Sequence, residues 1–238
     1  MPKFRSVECN IFQLRSPPNP SNPWRAIREV EEIAMPSGKE CTVAIEDGHF
    51  GIKFFWTNFI SERIHIKFQM DGRSHNAWNE ELLPRERIAW ASVMMDSLEY
   101  YNEAKKPCIR KWRFTPVNKI DLNNNEWEGY DQCGTIWVKV YRCRLRKLAE
   151  KRSLKATDED RRTWDDPPSV SAADVAQEKL SHLITLDPEL RQGGDDEENE
   201  DGDAVAPRAL YDVIDLLEDD GLPYATFKFN FRSQGMTL

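Results

Sequence analysis

From Tyr224 to Arg232 the side chains alternate without a break. Ala225, Phe227, Phe229 and Phe231 fall on one side, and Thr226, Lys228, Asn230 and Arg232 on the other. A period of two is what a strand with one buried and one wet face requires. Chain ends fray unless tied down, so three phenylalanines on one face here predict a strand docked into a sheet, paired with backbone laid down long before it. The fold is therefore expected to be mainly β and closed by this segment.

The same periodicity recurs upstream. Cys41, Val43 and Ile45 alternate with polar residues, as do Ile64, Ile66, Phe68 and Met70 with His65, Lys67 and Gln69. Asp47-Gly48 and Asp71-Gly72 carry turn chemistry, which accounts for both aspartates. Val7–Ile11, the aromatic stretch from Ile52 to Phe59, Ile109–Phe114 and Gly134–Leu145 read as further strands. In the last of these Ile136, Val138 and Val140 share one face, and Trp137, Lys139 and Tyr141 the other. Short strands separated by turns, without regular crossover helices, predict an antiparallel β-sandwich. Residues 73–106 give a weak pattern, with Ser92–Glu103 readable as a short helix or as part of a long insertion.

Charge divides the chain. The net charge is −8, yet Arg142 to Arg162 holds nine basic residues against four acidic ones. Asp187 to Asp220 holds fourteen acidic residues against two arginines. Its densest part is Asp195, Asp196, Glu197, Glu198, Glu200, Asp201 and Asp203; like charges this dense repel and predict disorder. The expected organisation is a sandwich over residues 1–146 completed by 224–238. Residues 147–223 form a charged excursion, with a helix from Ser171 to about Leu183 and an amphipathic helix from Ala209 to Leu217.

The pieces together resemble an uncharacterised fungal family catalogued as a domain of unknown function. Gly134-Thr-Ile-Trp-Val-Lys-Val-Tyr-Arg142 is similar to its Gly-(Thr/Glu)-Ile-x-(Val/Leu)-x-(Val/Ile/Leu)-(Trp/Tyr)-Arg strand. Gly38-Lys-Glu-Cys-Thr-Val43, Met70-Asp-Gly72, Lys111-Trp-Arg-Phe-Thr-Pro116 and Glu178-Lys-Leu-Ser-His182 resemble further segments in the same order. Phe227-Lys-Phe-Asn-Phe-Arg-Ser233 resembles its final strand, with Phe231 where tyrosine is usual. The longer, more polar 73–106 stretch and the proline-rich loop after Leu14 depart from the pattern. The resemblance implies a β-sandwich-like fold and a fungal source, and no activity.

Chemistry-bearing signatures are sparse. No phosphate-loop, dinucleotide, nucleophile-elbow or zincin pattern occurs, and the four histidines lack ligand spacing. Five cysteines without a CxxC pair suggest neither a disulfide framework nor a zinc site, so no cofactor, metal ligand or catalytic residue is expected. No apolar run reaches the roughly 18 residues of a membrane span. The start lacks a secretory signal, and the expected address is intracellular, cytoplasmic or nuclear.

Three functions follow as expectations. The first is a non-catalytic protein-interaction domain whose partner is an unknown protein, a basic one among the candidates. The second is a histone-chaperone-like binder of basic proteins through Asp195–Asp203. The third is a glycan-binding or enzymatic pocket built on tryptophans, for which Trp137, Lys139 and Tyr141 are the candidate residues. Overall acidity argues against nucleic acid despite the basic run Arg142–Arg152. The oligomeric state is open.

Overall fold

A computed structural model describes residues 2–14, 23–57, 63–77, 90–101, 107–117, 133–147, 180–187, 190–191, 211–216 and 222–233. In chain order the strands are β1 (Lys3–Phe4), β2 (Val7–Leu14), β3 (Trp24–Ala26), β4 (Glu29–Met35), β5 (Gly38–Ile45), β6 (Gly48–Thr57), β7 (Arg63–Met70) and β8 (Arg73–Ala77). They continue as β9 (Trp90–Met95), β10 (Ser97–Tyr101), β11 (Pro107–Pro116), β12 (Thr135–Lys147), β13 (His182–Leu186), β14 (Leu190–Arg191), β15 (Tyr211–Leu216) and β16 (Ala225–Ser233).

These strands form two sheets packed face to face, as expected of a sandwich. The first follows the order β1-β2-β6-β11-β10, with β3 on β2, β9 on β6, and β13 and β14 on β11. The second follows β4-β5-β16-β12-β7-β8, with β15 on β12. The Asp47-Gly48 corner carries the chain from the second sheet into the first. Asp71-Gly72 closes the β7–β8 hairpin with φ of 49° and 76°, the left-handed pair of a type I′ turn.

The alternating strands bury the predicted faces. Cys41, Val43, Ile45, Ile66, Phe68, Met70, Ile136, Val138, Val140, Phe227 and Phe229 are each at most 1% exposed. Opposite them lie Cys9, Ile11, Phe50, Ile52, Phe54, Trp112, Phe114 and Ile184 in one continuous core. Aromatic contacts stitch the sheets: Phe68 meets Trp112 edge-on at 5.6 Å, and Phe114 meets Phe231 at 5.0 Å. Each such pair adds roughly 0.5–1.5 kcal/mol beyond area burial.

The C-terminal strand sits in the middle of its sheet. β16 runs antiparallel to β12 and parallel to β5, pairing Phe229 with both Ile136 and Cys41. A parallel neighbour requires a long connection, and β6 to β15 all lie between β5 and β16 in the chain.

The excursion itself departs from expectation. Tyr211–Leu216, read as part of a helix, is strand β15, pairing with Cys143–Lys147 of β12. His182 and Leu183, read as a helix end, belong to β13, paired with Trp112–Pro116. Tyr211, Val213 and Ile214 in the one and Ile184 and Thr185 in the other suit a strand, and an available neighbouring strand overrides a weak helical moment. Ser92–Tyr101, readable as a helix, forms most of β9 and then β10 instead. The basic residues Arg142–Lys147 continue β12, and register sets Arg144 opposite Asp215 and Arg146 opposite Asp212. The proposed helix start at Ser171, and Asp195, Asp196, Glu197, Glu198, Glu200, Asp201 and Asp203, lie outside the described residues.

Asp71 does more than turn a hairpin. Its carboxylate accepts hydrogen bonds from the backbone N–H of Gly134 at 2.7 Å and of Ile184 at 2.6 Å. Arg73, 3.7 Å from Asp71, donates to the Ile184 carbonyl. Asp71 and Arg73 therefore grip both backbone groups of one residue in the opposite sheet, and both are nearly sealed from water. Burial pushes the Asp71 carboxyl up to about 6, against the opposing pull of Arg73 and the backbone donors. It lowers the Arg73 guanidinium in turn.

Candidate functional site

The polar faces of β7, β12 and β16 lie side by side on the outside of the second sheet. Because Trp137 pairs with Gln69 of β7 and with Lys228 of β16, the register sets it between an amide and an ammonium. One residue pair along, Lys139 lies between Lys67 and Thr226. Together Gln69, Thr135, Trp137, Lys139, Lys228 and Asn230 line a trough of about 520 Å³.

Two ammonium groups bracket the indole. Lys139 Nζ lies 5.7 Å and Lys228 Nζ 5.3 Å from the Trp137 ring centroid, within cation–π reach. Lys228 also pairs with Glu40 Oε1 at 2.8 Å, and Asn230 donates to the same oxygen at 2.7 Å. The Lys228 and Asn230 hydrogen bonds, in that order, hold the Glu40 carboxyl below its ordinary range. Lys67 lies over the Tyr141 ring at 5.3 Å. Among the described residues, neither Lys67 nor Lys139 has a carboxylate partner.

The expected aromatic pair is therefore unequal. Trp137 is half-buried and open to the trough, whereas Tyr141 is only 7% exposed and its phenol is pushed up by burial. Lys139 sits beside Trp137 as expected. Lys228, Asn230, Gln69 and Glu40 were not singled out in the sequence. The polar alternation of β16 displays Lys228 and Asn230, but only cross-strand register makes them neighbours of Trp137.

Two other groupings stand apart from this face. On the first sheet, His49 Nε2 meets Asp187 Oδ2 at 2.5 Å, beside the ion pairs Arg113–Asp47 at 3.1 Å and Lys111–Asp96 at 2.8 Å. Asp187 is the one side-chain hydrogen-bond partner of His49 among the described residues and fixes the orientation of its imidazole. At the β4 edge, Glu29, Glu32 and Cys41 bring their ligand atoms within 4.8 Å of one another. Burial first, then Glu29 and Glu32, push the Cys41 thiol up to about 12. Burial, followed by Cys41 and Glu29, also raises the thiol of Cys9.

No helix among the described residues is long and apolar enough to cross a membrane. Comparison with family models, with curated proteins and with solved structures finds no match to this chain.

Proposed function

We propose that the protein is a non-catalytic interaction module of the cell interior, cytoplasmic or nuclear, whose outer second sheet receives an acidic segment of a partner protein. The observation that carries this reading is the half-buried Trp137 bracketed by Lys139 and Lys228 at the floor of the trough. Lysines without carboxylate partners, gathered on one face of a chain of net charge −8, attract anionic groups locally while the whole molecule repels polyanions. The amides of Gln69 and Asn230 make the lining polar in the way a peptide backbone suits, and Glu40, which holds Lys228 and Asn230, disfavours a phosphate backbone. The flat, half-apolar indole provides contact area at small entropic cost, as in interface anchors.

The affinity expected is modest and salt-dependent, since exposed charge pairs each contribute roughly 0.2–1 kcal/mol. Fluorescence anisotropy of a labelled Glu/Asp-rich peptide tests the reading, with a histone-tail peptide as the opposite-charge arm. The acidic peptide should bind at low salt, and Lys67→Glu with Lys139→Glu should abolish binding. Trp137→Ala should weaken it about five- to tenfold, equivalent to about 1–1.4 kcal/mol. Binding of the basic peptide alone, or indifference to charge reversal on this face, would overturn the reading.

A further inference from the structure

The β4 edge carries a second constellation, independent of the Trp137 face. In a regular strand Glu29 and Glu32 would point to opposite sides, being an odd number of residues apart. The register between β4 and β5 shifts between Glu29 and Glu31, so that Glu29 pairs with Val43 and Glu32 with Cys41. Val43 and Cys41 both face inward. One extra residue, Val30, therefore turns both carboxylates onto the side where Cys41 points, which is how bulges re-aim side chains at functional positions. Val30 itself is thrown outward and is 50% exposed.

We propose that Glu29, Glu32 and Cys41 form a binding site for a divalent ion of the zinc class, with one thiolate and two carboxylates as protein ligands and water as the fourth. Their ligand atoms already lie within 4.8 Å of one another. In a tetrahedral site with Zn–S about 2.3 Å and Zn–O about 2.0–2.2 Å, neighbouring ligand atoms are about 3.5 Å apart, a gap that small carboxylate rotations close. The thiol is sealed beneath the edge at 1% exposure, with no hydrogen-bond partner among the described residues, while Glu32 reaches solvent and gives the ion a path in. A soft thiolate with two hard oxygens favours zinc, cobalt or cadmium over calcium or magnesium. On binding, the Cys41 S–H proton leaves to solvent and the sulfur lone pair goes to the metal. Lys39, whose Nζ lies 2.5 Å from Glu32 Oε1, is a group the ion displaces, and Glu29 likewise exchanges an existing contact for the metal. Inward charge on an edge strand also discourages sheet-to-sheet association, but that role needs no thiol and no second carboxylate.

Cobalt titration of the reduced, chelator-stripped full chain tests the site. A thiolate-to-cobalt charge-transfer band should saturate at one equivalent and be bleached by zinc. The band should vanish in Cys41→Ser and persist in Cys9→Ser. Since Cys41 belongs to the core, the surface-reaching pair Glu29→Gln and Glu32→Gln provides the second arm. Each should weaken cobalt binding at least about tenfold with the thermal melt of the metal-free protein retained. Lys39→Ala, which releases Glu32, should tighten it. Absence of the band in the wild type, its survival in Cys41→Ser, or wild-type affinity in both glutamine variants overturns the proposal.

Discussion

Replacing Asp71 by asparagine separates two roles that one residue holds. Asn-Gly is among the best type I′ pairs, so the β7–β8 turn keeps its chemistry. What changes is the buried grip on the opposite sheet. The amide retains one acceptor oxygen but turns an NH₂ toward the second of two backbone donors, Gly134 N–H or Ile184 N–H. An orphaned buried donor costs about 1–3 kcal/mol. Arg73, itself buried, loses its counter-charge, and breaking a buried pair from one side costs about 3–5 kcal/mol. These terms overlap, and relief of the desolvated charge that raises the Asp71 carboxyl offsets much of the second, which leaves a loss of about 1–3 kcal/mol against the roughly 5–15 kcal/mol that holds a domain folded. Urea melts followed by far-ultraviolet circular dichroism measure it. The double variant Asp71→Asn/Arg73→Met removes the stranded guanidinium and should be less destabilised than the sum of the singles by about 1–3 kcal/mol. A change of under about 1 kcal/mol in Asp71→Asn would mean that the aspartate is only a turn residue. An additive cycle would mean that Arg73 does not depend on it.

Four further outcomes are expected. Because the folded-state carboxyl of Asp71 lies near 6 against an ordinary 3.8, its contribution to stability is complete below 3.8 and is lost as pH rises through 6. The wild type should therefore gain up to about 3 kcal/mol on Asp71→Asn between neutral pH and pH 4, read from urea midpoints; a constant difference would contradict the raised value. Phe229→Ala, at the centre of both β16 pairings, should cost about 3–5 kcal/mol in the same melts. Gly38→Ala would set a Cβ 1.7 Å from the Thr226 carbonyl oxygen, so it should lower the melting temperature strongly where Ala44→Gly does so mildly. A chain cut after Pro223 should lose its cooperative melt, and a compact, cooperatively melting product would remove β16 from the core.

What the sequence revealed was what is local. Cys41/Val43/Ile45, Ile66/Phe68/Met70 and Phe227/Phe229/Phe231 announce their inward faces because strand alternation is written in neighbouring residues. Tyr211–Leu216 misled because Val213 and Ile214 satisfy a short helical stripe as well as a strand, and the deciding fact, an available edge on β12, lies some seventy residues away. The same limit hid the site. Trp137 and Lys139 share a strand and were found together, but Gln69 and Lys228 reach them only through register. The bulge that turns Glu29 beside Glu32 leaves no mark in the order of residues. Asp71-Gly72 was correctly a turn, yet its burial depends on where β12 and β13 arrive.

The position of β16 also sets an order of assembly. While the polypeptide is being made, β5 and β12 both exist long before the strand that lies between them. Until residues 225–233 arrive, the second sheet is two half-sheets with facing, unsatisfied backbone rims and a groove shaped for phenylalanine at every other place. Any extended apolar stretch from another nascent molecule fits that opening, so the period before closure is when intermolecular strand exchange threatens. By the same logic, a synthetic peptide spanning the final strand is the natural agent to rescue a shortened chain.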